Sequence, residues 1–151
     1  MYAQKNYLEK QGVNGKYRIS QVGSLLVAFS NLLKELFDEE VGSDPLSLNK
    51  MFAERGVYTA GDEGVQDQLS LDAVEAYDPG ITHGDVQLGT PENEYTIAMF
   101  TWLGSDGKPV NHYSLVHDAE KHLIVDSFDG KVKSWDVYGG PVKYIEYGVA
   151  Q

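Results

Sequence analysis

Apolar residues recur at three- and four-residue spacing in the first half of the chain and at two-residue spacing in the second. Residues 24–37, SLLVAFSNLLKELF, put Leu25, Phe29, Leu32, Leu33, Leu36 and Phe37 on helical spacing. Apolar positions cover much of the circumference, which predicts a buried, central helix. Ser24, following Gly23, is placed to cap it. The acidic run Asp38, Glu39, Glu40 would oppose the negative end of a helix dipole, so the helix should stop before it. A second, short helix is predicted over 47–55, capped by Ser47, with Leu48, Met51 and Phe52 inward and Gly56 as its stop. A third is predicted over 70–77, ended by Asp78-Pro79-Gly80. Residues 1–20 are polar with Gly12 and Gly15 and read as an irregular lead-in, and 61–68 read as an acidic, glycine-containing loop.

The second half is β-rich. Residues 94–103, 111–117, 122–128 and 141–147 carry β-branched and aromatic residues between Gly, Pro or Asp clusters. Helices first and an antiparallel sheet second is the order of an α+β fold, here one domain over 1–151. Residues 111–117 and 122–128, joined by the polar connector 118–121, read as a hairpin. Pairing Tyr113 with Val125 and Leu115 with Leu123 sets apolar against apolar. It also sets His112 opposite Asp126, whereas a one-residue slip would send His112 to the other face.

Charge narrows the partners. Twelve Lys and Arg against 23 Asp and Glu give a net charge of −11. Phosphate recognition needs clustered cations, so nucleic acid is not expected, nor is an anionic membrane surface. No apolar run approaches the roughly 20 residues that span a bilayer, and no signal peptide is expected at the N-terminus. With no cysteine there is no thiolate ligand or thiol nucleophile. His83 reads as a loop residue, and His117 and His122 flank the hairpin turn. None of the zinc spacings is present, so neither a metal nor another cofactor is expected.

Two features carry chemistry. Ser24 heads the buried helix, where backbone N–H groups and the dipole stabilise an anion. A thiolate would profit most, while a serine hydroxyl needs a strong adjacent base. The plain alternative is that Ser24 only caps the helix. His112 with Asp126 is the base-plus-orienter pair of nucleophilic catalysis; the alternative is a structural His–Asp hydrogen bond.

The order of these pieces resembles papain-fold cysteine peptidases of the bacteriocin-processing, double-glycine-leader type, and their relatives in phage and bacterial lysins. The matching segments are Gly23-Ser24-Leu25-Leu26, His112-Tyr113-Ser114-Leu115-Val116 and Ile124-Val125-Asp126-Ser127, with a phage-like tail from Asp129 to Val142. The resemblance spans about residues 17–147. It implies a papain-like fold, with the nucleophile's helix packed on the C-terminal sheet. It implies Ser24 at the nucleophile position, His112 as general base, Asp126 as the residue orienting it, and an oxyanion-hole glutamine, with Gln21 the nearest candidate and Gln11 the second. The departure is serine where the family has cysteine. An engineered substitution and a natural change to a serine variant or pseudoenzyme both fit it.

The resemblance implies a hydrolase framework cutting peptide bonds, with peptidoglycan stem or bridge peptides favoured as substrate. The parent would be a phage-encoded lysin or tail protein, held in the cytoplasm before release. A second reading is a natural pseudopeptidase that binds a peptide or protein partner without cleavage. A third is a virion or secreted structural domain in which Ser24 is a cap and His112–Asp126 a coincidence.

Overall fold

The computed structural model describes residues 1–13, 15–37, 43–60, 66–86 and 95–149. Expectations for 38–40, for 61–65 and for the start of the first strand run at Glu94 fall outside these residues. The helices are α1 (Ile19–Val22), α2 (Ser24–Phe37) and α3 (Pro45–Glu54). The strands are β1 (Thr59–Ala60), β2 (Gln66–Gln68), β3 (Ile81–Val86), β4 (Thr96–Leu103), β5 (Pro109–Asp118), β6 (Leu123–Val125), β7 (Val132–Ser134) and β8 (Lys143–Val149). Strands β3-β8-β4-β5-β6-β7 form an antiparallel sheet in that order, and β1 pairs with β2 separately. The α+β expectation is therefore met.

The alternation along the strands gives the sheet two covered faces. Ile97, Leu115, Ile145 and Tyr147 point to the face on which α2 lies, where Leu26, Phe29, Leu32 and Leu33 complete the main core. Ala98, Phe100, Val116, Ile124 and Tyr144 point the other way and pack with Trp135, from a short 3-10 helix (Trp135–Tyr138). The all-round apolar pattern of 24–37 is explained by its depth, because every residue from Ser24 to Leu33 is buried.

Several local expectations are corrected. Gly23, not Ser24, takes the cap position of α2: its carbonyl accepts from Val27 N–H at 2.9 Å. A Cβ at Gly23 would lie 2.6 Å from the Ile19 carbonyl oxygen, so only glycine lets α1 turn this tightly into α2. Asp44, not Ser47, caps α3, accepting from Ser47 N–H at 3.1 Å, and Pro45 fills the first turn. The predicted helix over 70–77 contracts to a 3-10 helix, Ala73–Ala76. Residues 66–68 are strand, and His83 lies on β3, because pairing with β8 overrides the weak local signal of a Gly- and Asp-containing segment.

The hairpin register is displaced by two residues. Leu115 faces Val125 and Val116 faces Ile124, with an irregularity at His117 before Asp118 meets Leu123. Apolar pairing fixes which face a residue takes but not the phase, since a shift of two keeps every side chain on its face. His112 and Asp126 therefore stay on one side of the sheet.

Candidate active site

The site forms where β6 stops short. β5 runs back to Pro109 while β6 ends at Val125, so the edge of β5 at Tyr113 has no strand beside it. The freed backbone groups of Tyr113 need partners. Its N–H donates to Ser24 Oγ at 3.2 Å, and its carbonyl accepts from Ser127 Oγ at 2.6 Å. Ser24 is thus brought from the head of α2 to the residue adjoining His112. Its hydroxyl does not cap its own helix; it completes a sheet edge.

His112 points to the opposite face of the sheet from Tyr113 and is 7% exposed. Its Nε2 is 2.8 Å from Asp126 Oδ1. Facing an ionised carboxylate, Nε2 carries the proton, so Nδ1 presents a lone pair. Ser114, two residues further along β5, has its Oγ 3.2 Å from His112 Nε2 and accepts from Ser127 N–H at 3.0 Å. Phe100, Trp102 and Tyr138 surround the imidazole, with the Tyr138 ring centroid at 4.7 Å and the Trp102 indole stacked on Tyr138.

Asp126 is fully buried, and its two oxygens are matched by donors. Oδ1 takes His112 and Phe128 N–H (3.1 Å); Oδ2 takes Tyr138 Oη (2.5 Å) and Lys133 Nζ (2.9 Å). Burial alone would raise its pKa, but the hydrogen bonds from His112, Tyr138, Lys133 and the Phe128 amide outweigh it and hold the carboxyl far below the usual range. Burial and the hydrogen bond to Asp126 push the Tyr138 phenol up. Lys133 also reaches Asp129 at 2.8 Å. The turn after Asp126 is clamped by the N-terminus: Gln4 N–H donates to the Ser127 carbonyl at 2.6 Å and Lys5 N–H to that of Phe128 at 3.0 Å. Gly130, at φ +74°, allows this close passage, since a Cβ there would lie 2.9 Å from the Met1 carbonyl oxygen.

Two recesses meet at Ser24. One, of about 240 Å³, is bordered by Gln4, Ser24, Trp102, His112, Phe128 and Tyr138. The other, of about 350 Å³, extends past Gln11, Asp67, Leu69 and Tyr113. Val22, Val110, Asn111 and Gln21 border both. No protein family, curated protein or solved structure matches this chain.

Ser24, His112 and Asp126 are therefore neighbours, although no hydrogen bond joins Ser24 Oγ to His112 among the described residues. Gln21 is exposed at the cleft, with its Oε1 taken by Arg18 N–H at 3.0 Å and its amide N–H groups without a partner among the described residues. Gln11 is buried, its Nε2 donating to the Asp67 carbonyl at 2.9 Å. Sequence reasoning missed Gln4, which is buried beside Ser24 and His112 with its Nε2 on the Ser20 carbonyl at 3.3 Å. It missed Tyr138, Lys133 and Ser114 as well. Trp102 and Tyr138 carried only a general sign, as aromatics of a chain with many; nothing in their spacing links them to Asp126. Among the described residues no cluster of three or more His, Asp or Glu residues suited to a metal is present, and no helix is long and apolar enough to cross a membrane.

Proposed function

We propose that this chain is a papain-like hydrolytic framework with serine at the nucleophile position, built to act on peptide bonds, with peptidoglycan stem or bridge peptides as the favoured substrate. The observation that carries the reading is the His112–Asp126 pair, with no partner on Nδ1 among the described residues, one residue from the amide that holds Ser24 Oγ. With cysteine at position 24 the same site has three features that favour a thiolate: the head of α2, the Tyr113 N–H and an adjacent imidazole.

The chemistry would run as follows. The sulfur attacks the scissile carbonyl and its proton passes to His112 Nδ1. The carbonyl oxygen becomes an oxyanion, held by the Ser24 backbone N–H and a glutamine amide, Gln21 or Gln4. His112 then protonates the leaving amine, giving an acyl-enzyme that water releases as the acid. Asp126 keeps the imidazole in the required tautomer and stabilises the imidazolium. Serine lacks the low pKa this arrangement exploits, so the chain as it stands should hydrolyse slowly or not at all.

One observation favours a second reading, a pseudopeptidase that binds without turnover. The Ser24 hydroxyl is occupied as an acceptor for Tyr113 and, among the described residues, makes no bond to His112. The deciding experiment is the Ser24→Cys protein assayed on purified cell-wall peptides and on a peptide library. Cleavage abolished by alkylation and by His112→Ala supports the hydrolase. A Cys protein that binds peptides but cleaves none supports the second reading.

A further inference from the structure

We propose that the larger recess beside Ser24 is a subsite for a primary ammonium group of the bound peptide, either a lysine-type side chain or a free amino terminus. This deepens the reading of the cleft as a peptide site and rests on it.

Two residues bordering this recess carry acceptors that lack adequate partners. The first is Gln11 Oε1. Gln11 is 5% exposed, and its oxygen is buried with no hydrogen-bond partner. Its orientation is fixed, because Nε2 donates to the Asp67 carbonyl; a flipped amide would set oxygen against oxygen. The oxygen therefore stays near the head of α2, 3.1 Å from where a Cβ on Gly23 would lie. A buried acceptor left unpaired is costly, and a donor brought by a ligand relieves that cost.

The second acceptor is the carboxylate of Asp67, a residue also 5% exposed. Its only hydrogen bond among the described residues comes from Gln68 Nε2 at 3.3 Å, and no Lys, Arg or His pairs with it. Among the described residues, Asp67 is the one charged side chain bordering the recess; the rest of that wall is amide, hydroxyl and apolar. A buried carboxylate without a cation is an incomplete arrangement. A carboxylate and an amide oxygen, with no cation beside them, select for a ligand that brings positive charge and several N–H donors, which an ammonium does and an anion or a plain alkyl group does not. The volume, about 350 Å³, has room for a lysine-sized chain.

The test uses the unaltered protein, so that binding is read without turnover. Amide NMR titrations compare three probes: acetyl-Ala-Ala-Lys-Ala-Ala-amide, its norleucine counterpart, and penta-alanine amide with a free amino terminus. At least one amine-bearing probe should bind about tenfold or more tighter than the norleucine peptide, shifting Gln11, Asp67 and Leu69. Whichever amine binds identifies the source. Asp67→Asn, close in shape to the original, should remove the preference while leaving the norleucine peptide's affinity unchanged. Equal affinity for all three probes, absence of shifts at Gln11 and Asp67, or a preference that survives Asp67→Asn would each overturn the proposal. The comparison of probes on the unaltered protein stands even if the variant fails to fold. If the Ser24→Cys protein cleaves peptides with no amine preference, the cleft reading survives and this inference falls; if it neither cleaves nor binds, both fall.

Discussion

Asp126→Asn isolates the network that builds the site. The native carboxylate accepts from His112, the Phe128 amide, Tyr138 and Lys133 with no exposure to water. Asparagine keeps the shape but offers one acceptor oxygen, and its amide N–H groups would meet either His112 and the Phe128 amide or Tyr138 and Lys133, all of which donate to the native carboxylate. Hydrogen bonds to a charged group are each worth about 1.5–3 kcal/mol, and breaking a buried ion pair costs about 3–5 kcal/mol. Since Lys133 is partly exposed and can turn to Asp129, the lower part of that range, about 3 kcal/mol, is expected at pH 7. Urea unfolding at fixed pH reads it directly. The pH dependence supplies a sharper check. The folded-state pKa of Asp126 is depressed below its ordinary 3.8, so its contribution is complete above that value and fades as pH falls through it. The gap between native protein and variant should therefore close in acid. A loss under about 1 kcal/mol at neutral pH, or a gap that stays constant from pH 7 into acid, would refute the account of Asp126 as an ionised, four-donor hub.

Other outcomes follow from the same geometry. Tyr138→Phe removes one donor from Asp126 Oδ2 while keeping the ring stacked on Trp102, and should cost about 1.5–2 kcal/mol in urea unfolding without altering the Trp contact. In Ser24→Cys the thiol should titrate below its free value of about 8.5, read from the pH dependence of alkylation; His112→Ala in that background should raise it again. Gly23→Ala sets a Cβ against backbone and the Ile19 side chain and should destabilise by about 1–3 kcal/mol, measured by thermal unfolding.

The central helix was legible because its period runs unbroken over 24–37, and α2 has those bounds. The pairing of His112 with Asp126 was legible because face parity follows from strand alternation. The phase of that hairpin was not, since Tyr113 and Leu115 are equally acceptable partners for Val125 and only the three-dimensional packing chooses. β3 and β7 were missed for a related reason. Ile81–Val86 contains His83, Gly84 and Asp85, and Val132–Ser134 is three residues long, so each is held as strand by its neighbour rather than by its own composition. Ser24 was singled out for its place at the head of a helix, but what it does there depends on Tyr113, 89 residues later. No local pattern reports that β6 will stop at Val125 and leave an edge to be filled. Lys133 and Tyr138 belong to the same class: both meet Asp126 only after the chain has turned past Gly130.

Tyr113 joins Ser24 and Ser127 through its amide nitrogen and carbonyl oxygen, not through its ring. Mutational drift at that position can therefore exchange one side chain for another while the seam between helix and sheet persists. Proline is the exception, since it alone arrives without the hydrogen that Ser24 receives.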